Sequence, residues 1–282
     1  MKAPARNRVF WGRWALACVL MGLCSCRTTI PAAPPESPGP SVRFLISFDD
    51  GPSARTGYNP TADILDQLAH NDLQPGVRAI FFIQTHHPRG GGTPVGRRLI
   101  RRMHEEGHVI GLHSISPQGH MSHISMADDE LAARLIAARR MIRDLTGQSA
   151  RFVRPPYGAA SDRTRALYES LGFSLLMCNL RARDGVIYGY HASPSRRRHF
   201  RKALARIRDR LLEAGPSEEP HVLIVTFHDL NSFTARHMTE YLHILVEEAT
   251  HVGLKPADPP FVSTPDEVAR AALSRRIPPP VP

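Results

Sequence analysis

The sequence predicts an α/β fold in which parallel strands and helices alternate to form a β/α barrel. Short apolar runs alternate with longer segments of helical spacing, which is the pattern of successive β/α units. Polar residues follow most of the apolar runs, as expected where the carboxyl ends of barrel strands meet on one face. The chain of 282 residues is also long enough for one barrel domain, which commonly takes about 200 to 250 residues.

The amino-terminal residues predict export from the cytosol. A positively charged leader precedes an apolar stretch, Trp14 to Leu23, that is too short to span a bilayer comfortably. The run Leu23-Cys24-Ser25-Cys26 resembles the lipobox of bacterial lipoproteins, which implies cleavage before Cys26 and acylation of its sulfur. We therefore predict a signal peptide over residues 1–25 and a membrane-anchored lipoprotein in the cell envelope, facing the periplasm or the cell exterior. The alternatives are a signal cut elsewhere without lipid, or a short uncleaved anchor.

Composition divides the rest of the chain into three parts. A proline-rich stretch over 26–41 predicts a semi-rigid linker, and the proline-rich end over 276–282 predicts a disordered tail. Residues 42–275 between them are the predicted catalytic domain. Cys178 would be the one thiol left in that domain, so no internal disulfide is expected.

Charge adds little to the functional prediction. The leader carries four basic residues and no acidic ones, so its removal lowers the formal charge from +10 to +6. A solvated basic surface explains the remaining positive charge, and contact with anionic envelope polymers or lipid head groups is the alternative. The sequence does not predict nucleic-acid binding, and we expect a monomer.

The first strand, over 42–48, carries two carboxylates at its carboxyl end. Asp49 and Asp50 follow the apolar run directly, and Gly51-Pro52 ends it. Adjacent like charges are unfavourable unless a cation or an arginine offsets them. An ordinary Asp-Gly turn is the alternative explanation.

The remaining elements follow in order. Further strands are predicted over 78–84, 108–112, 151–154, 173–178 and 221–227, and helices over 60–70, 95–106, 127–146, 162–171, 196–213, 234–249 and 265–274. A glycine-rich loop over 90–94 lacks the Gly-Lys-Ser/Thr ending of a phosphate-binding loop, so we interpret it as a loop bordering a cleft.

Six polar residues lie at or just after the predicted strand ends. They are Asp49, Asp50, His113, Arg154, Asp184 and His228. Each alone has a structural explanation, such as a strand-end histidine, a surface ion pair or a turn residue. Six such residues on one face of a barrel together predict an active site.

With these residues assembled, the chain resembles the NodB-type polysaccharide deacetylases, carbohydrate esterase family 4. The resemblance covers roughly 43–273. It is carried by Ser47-Phe48-Asp49-Asp50-Gly51-Pro52, by Glu106-Gly107-His108-Val109-Ile110-Gly111-Leu112-His113-Ser114, by Arg154-Pro155-Pro156-Tyr157-Gly158 and by Thr226-Phe227-His228-Asp229. It implies a distorted barrel of about seven parallel strands with the active site at their carboxyl ends.

The resemblance also implies a divalent metal ion, held by Asp50 and two histidines. His113 is the first histidine. The second normally comes four residues later, where this chain has Pro117, so we infer a three-residue insertion that leaves His120 in the role, with His123 as the alternative. One carboxylate and two imidazoles suit zinc, with cobalt or nickel also possible.

The remaining roles follow from the same resemblance. Asp49 would be the general base, held by Arg154, and His228, paired with Asp184, would protonate the leaving amine. Tyr157 and Pro156 would contact the substrate, with the backbone N–H of Tyr157 stabilising the oxyanion. Asp184 is followed by Gly185 where the family has tryptophan, so the wall of the acetyl pocket departs from the pattern.

The predicted reaction is hydrolysis of N-acetyl groups from an N-acetylglucosamine-containing polysaccharide, with release of acetate. One alternative is a lipid-anchored glycan-binding protein without activity, which Pro117 and Gly185 favour and the retained base and acid disfavour. The other is an amidohydrolase acting on a small C–N substrate, which the export signal disfavours.

Overall fold

The computed structural model describes residues 39–184 and 195–274. Its strands are β1 Ser41–Asp49, β2 Ala79–Gln84, β3 Val109–Ser114, β4 Phe152–Val153, β5 Ser174–Leu175, β6 Leu180–Arg181, β7 His221–His228 and β8 Lys255–Phe261. Its helices are α1 Pro60–His70, α2 Pro94–Glu105, α3 Asp128–Thr146, α4 Asp162–Ser170, α5 Arg196–Ala214, α6 Ser232–Arg236, α7 Met238–His251 and α8 Pro265–Leu273.

Seven of these strands form a parallel sheet in the order β5-β4-β3-β2-β1-β7-β6, and β8 pairs with β1 off this path. Every strand pairing is parallel. The sheet curves into a half-barrel in which β1 lies between β2 and β7. The predicted α/β fold of about seven parallel strands is therefore confirmed.

The alternation of side chains along β1 positions the site. Phe44, Ile46 and Phe48 pack in the large core cluster that the surrounding helices cover. Leu45 belongs to the smaller cluster, whose other members come mainly from neighbouring strands and from α8. Since successive side chains of a strand point to opposite faces, Ser47 and Asp49 continue the face that Leu45 begins. Asp49 thus lies at the carboxyl end of the barrel interior.

Three features of the fold differ from the sequence prediction. β6 has two residues, too few for a recognisable pattern, and was not predicted. β8 was also missed, because its sequence Lys-Pro-Ala-Asp-Pro-Pro-Phe is rich in residues that strands disfavour. The last long helix is divided into α6 and α7 at His237, which has a non-helical φ of −121°.

The predicted signal peptide, the lipidation site Cys26, Gly185 and the carboxyl-terminal tail all lie outside the described residues. Within the described ranges, no helix has the length and apolar composition needed to cross a membrane.

Candidate active site and metal centre

Arg154 joins β1, β7 and the segment after β5 around Asp49. Its Nη1 donates to Asp49 Oδ1 at 2.8 Å and to the hydroxyls of Ser47 and Thr226 at 3.0 Å each. Its Nε donates to the carbonyl of Leu176 at 2.9 Å. Both members of the Arg154–Asp49 ion pair are buried, so the carboxylate is fixed in orientation and its charge is compensated.

Asp50 turns away from Asp49 because its backbone leaves the strand conformation. It has a φ of +76°, a region that aspartate tolerates better than most residues. Its Oδ1 lies 2.8 Å from His120 Nδ1 and 3.4 Å from His113 Nε2. Burial would raise the pKa of Asp50, but hydrogen bonds from the two histidines outweigh this effect and lower it. The carboxylate is therefore ionised across the physiological range.

The three residues Asp50, His113 and His120 form a potential metal site. Their ligand atoms all lie within 4.8 Å of one another. His113 Nδ1 lies 2.7 Å from the carbonyl of Arg154, which can only accept a hydrogen bond. When His113 is neutral, as a metal ligand must be, its proton lies on Nδ1 and Nε2 is free to coordinate a cation beside Asp50. Such an outer hydrogen bond is usual for metal-ligating histidines, so these residues fit a divalent cation.

His120 reaches Asp50 from a short turn that follows β3. The turn is closed by a bridge between Ser116 and Gly119, and Ser114 Oγ donates to the carbonyl of Gly119. Tyr157 Oη donates to the carbonyl of His120 at 3.0 Å. The residues between the two histidines therefore form an ordered turn.

The alternative ligand His123 is placed elsewhere. It is fully buried at the start of a short 3-10 turn, His123–Ser125, and its Nδ1 lies 2.8 Å from Tyr168 Oη. Burial, together with the charge of His113, lowers its pKa to about 4. It does not belong to the group of potential ligands formed by the described residues.

His228, which is partly exposed, pairs with the buried Asp184 at the same face. His228 Nδ1 lies 2.9 Å from Asp184 Oδ1, and the other carboxylate oxygen accepts from the backbone N–H of His228 at 2.9 Å and from Thr234 Oγ1 at 2.8 Å. Burial would lower the pKa of His228, but Asp184 outweighs it and raises the pKa to about 9. A pKa in this range keeps His228 protonated at neutral pH.

The segment after β4 borders the site. Pro156 is buried, whereas the neighbouring Tyr157 is 69% exposed and has a φ of +62°. The Tyr157 ring meets the His120 ring edge to face, with 4.5 Å between the centroids. The structure thus brings Tyr157 beside the potential metal ligands.

Sequence reasoning gave no role to Asp229, which is fully buried beside the Asp50 turn. Its Oδ2 accepts from Thr61 Oγ1 at 2.9 Å, while its Oδ1 has no hydrogen-bond partner among the described residues. A Cβ at Gly51 would lie 1.9 Å from Asp229 Oδ2, so only glycine fits there. Burial raises the pKa of Asp229 to about 7. The signal available in the sequence was its place directly after His228.

Comparison with known proteins gives a consistent result. Residues 37–176 match the family model described as polysaccharide deacetylase. An uncharacterized 30.6 kDa protein of Geobacillus stearothermophilus is 35% identical over 138 residues, which cover 49% of this chain and 46% of that protein. A peptidoglycan-N-acetylglucosamine deacetylase of Bacillus cereus is 33% identical over 123 residues, covering 44% of this chain and 39% of that protein. The matches thus span less than half the length of these two relatives.

Solved structures extend the likeness to more of the chain. The chitin deacetylase of the fungal pathogen Colletotrichum lindemuthianum superposes with a TM-score of 0.58 at 20% identity, covering 77% of this chain and 84% of that one. At this level of identity the likeness establishes the fold.

Proposed function

We propose that this chain, which contains a polysaccharide deacetylase domain of the NodB type, carbohydrate esterase family 4, hydrolyses N-acetyl groups of an N-acetylglucosamine-containing polysaccharide. The products are acetate and a free amino sugar. One observation carries the proposal: an arginine-bound carboxylate, an Asp-His-His group and a histidine paired with an aspartate lie together at the carboxyl ends of the strands. Binding alone needs neither a base nor an acid.

We assign the general base to Asp49. Arg154 and the strand on which Asp49 lies fix its carboxylate, so one oxygen is free to take the proton of the attacking water. The ion pair also compensates the negative charge of Asp49 next to Asp50. Asp49 thus acts on water, and Arg154 positions it.

We assign the general acid to His228. Its Nδ1 is engaged by Asp184, which leaves Nε2 to donate a proton to the nitrogen as the C–N bond breaks. Asp184 is in turn held by Thr234, so the imidazole has a fixed orientation. The backbone N–H of Tyr157 is proposed to stabilise the oxyanion, and Pro156 to shape the adjoining wall.

Asp50, His113 and His120 are the proposed metal ligands, with zinc as the cation and cobalt or nickel as alternatives. A bound divalent cation supplies Lewis acidity, polarising the amide carbonyl and making water acidic enough to lose a proton near neutral pH. Three protein ligands leave positions open for these reactants, which is the arrangement of catalytic sites.

The test is acetate release from purified peptidoglycan, chitin oligomers and poly-N-acetylglucosamine, with and without a chelator. Asp50→Ala is expected to lose metal and activity. Asp49→Asn is expected to keep metal and lose activity by at least about 100-fold, because it removes the base alone. Asp209→Asn, on the exposed side of α5, is the charge-matched control and should behave as wild type. Normal acetate release by Asp49→Asn would contradict the assignment of the base.

We also propose that the chain is attached to the envelope through lipid at Cys26. The leader and the lipobox-like run support this, as does the similarity to a deacetylase named for peptidoglycan. Cys26→Ser is expected to move the protein from the membrane fraction to the soluble fraction and to abolish fatty-acid labelling. Unchanged labelling would refute the anchor.

A further inference from the structure

Gln84 lies between the strands that carry the potential metal ligands. The sheet order places β2 between β1 and β3, so its last residue, Gln84, lies beside both Asp50 and the end of β3 that carries His113. Its backbone N–H donates to the carbonyl of Gly51 at 2.7 Å, and on the other side it pairs with Ser114 after an irregularity in the register. Gln84 is therefore at the same level of the barrel as the ligands.

The side chain of Gln84 points to the carboxylate of Asp50. Its Nε2 lies 3.4 Å from Asp50 Oδ1, the same oxygen that His113 and His120 approach. Gln84 is 8% exposed, and its Oε1 is buried without a hydrogen-bond partner among the described residues. The other five residues of β2 are apolar, Ala-Ile-Phe-Phe-Ile. A glutamine that only filled space here would leave a polar atom unsatisfied for no gain.

We propose that Gln84 is a positioning residue of the metal site, which donates to the Asp50 carboxylate and thereby holds it in the orientation that binds the cation. Hydrogen bonds to charged acceptors are stronger than those between neutral groups. Carboxylates that bind metals are in turn hydrogen-bonded by outer residues, and loss of such a residue typically weakens metal binding about 10- to 100-fold. This inference rests on the metal site of the proposed function.

Direct ligation through Gln84 Oε1 is the rival arrangement. A fourth protein ligand would close a tetrahedral zinc site, whereas catalysis requires an open position. The amide nitrogen, rather than the oxygen, also suits the neighbourhood of a carboxylate, which only accepts hydrogen bonds. The donor role is therefore the one that agrees with both the contacts and the chemistry.

The experiment compares wild type with Gln84→Met, which keeps the length of the side chain and removes both polar groups. Zinc affinity is measured on the full chain by competition with a chromophoric chelator, together with the Tm of the metal-free protein. We expect zinc binding weakened by about 10- to 100-fold and a nearly unchanged metal-free Tm. Gln148→Met, at an exposed glutamine after α3, is the matched control and should keep the wild-type affinity.

Each other outcome overturns the proposal in a recognisable way. Equal zinc affinity in Gln84→Met and wild type removes the positioning role, while leaving the proposed function intact. A lower metal-free Tm with unchanged affinity reveals a purely structural residue. A changed visible spectrum of the cobalt-loaded variant, at full loading, reveals direct ligation. If wild type itself binds no metal, the metal site of the proposed function fails instead.

Discussion

His228 retains its proton chiefly because of the Asp184 carboxylate, to which the charges of Asp49 and Asp50 add. Burial opposes the charged imidazole, and the Asp184 carboxylate at 2.9 Å more than offsets that cost, raising the pKa to about 9. Asp184→Asn should therefore lower the pKa of His228 and move the alkaline limb of the activity profile to lower pH. The measurement is the pH dependence of acetate release together with NMR titration of the imidazole. An unmoved alkaline limb would show that another group is the acid.

The same pair makes stability depend on pH. The folded pKa of His228 is above its ordinary value of about 6.5, so its protonation stabilises the folded chain fully below that pH. This contribution is lost as pH rises through about 9. The Asp184→Asn variant should show a weaker loss of stability over this window than wild type, in urea unfolding at a series of pH values.

Asp229 also has a raised pKa, but at this carboxyl group the shift favours the neutral form. Burial raises its pKa to about 7, so between about pH 4 and 7 the folded chain holds a proton that the unfolded chain releases. Stability should therefore fall as pH rises through this window. Asp229→Asn removes the titration, and we expect it to exceed wild type by at least about 1 kcal/mol at pH 8, or roughly 2–4 °C in Tm, but not at pH 4. A constant difference between pH 4 and 8 would mean that Asp229 is ionised when buried.

At the scale of elements, the turn after β3 depends on Gly119. Gly119 has a φ of +95°, and a Cβ there would lie 3.1 Å from the ring of His87. Gly119→Ala should therefore strain the backbone, displace the adjoining His120 and weaken zinc binding. If backbone strain of about 1–2 kcal/mol opposes the zinc-binding position of His120, the affinity for zinc falls by about 5- to 30-fold.

Gly147 provides the matched control for this turn. It ends α3 with a φ of +76°, and nothing lies within 4 Å of a Cβ at this position. Gly147→Ala should thus carry a similar backbone cost in the Tm but leave zinc affinity unchanged. If both variants bind zinc as wild type does, the turn does not determine the position of His120.

The elements that sequence reasoning located are those with strong local patterns. β1 and β7 are long apolar runs, and α3 ends at a glycine in the left-handed conformation, so each was predicted within a few residues. β6 and β8 form because neighbouring strands offer hydrogen-bonding edges. A tertiary cause of this kind leaves no periodicity in the segment itself.

At the scale of the whole molecule, the sequence predicted that polar residues at the strand ends would lie on one face. It did not predict which of these residues contact one another. Parallel strands dictate that Asp49, Asp50, His113 and His228 share one face. The roles of Ser47 and Thr226 around Arg154, or of Gln84 beside Asp50, depend on which strands are neighbours. That order is a property of the folded sheet, since β7 adjoins β1 although they are far apart in sequence.

Metal binding should stabilise the whole domain, because Asp50 follows β1 whereas His113 and His120 come from β3 and the turn after it. A ligand at 100 times its Kd adds about 2.7 kcal/mol to the free energy of unfolding, which corresponds to about 5–10 °C for a domain of this size. Zinc should raise the Tm of wild type by this amount, and a chelator should reverse it.

His120→Ala should lose the zinc-induced rise in Tm, because it removes a ligand. His123→Ala should lower the metal-free Tm, since it leaves a cavity beside Tyr168, yet keep the shift. The reverse pattern would assign the third ligand to His123.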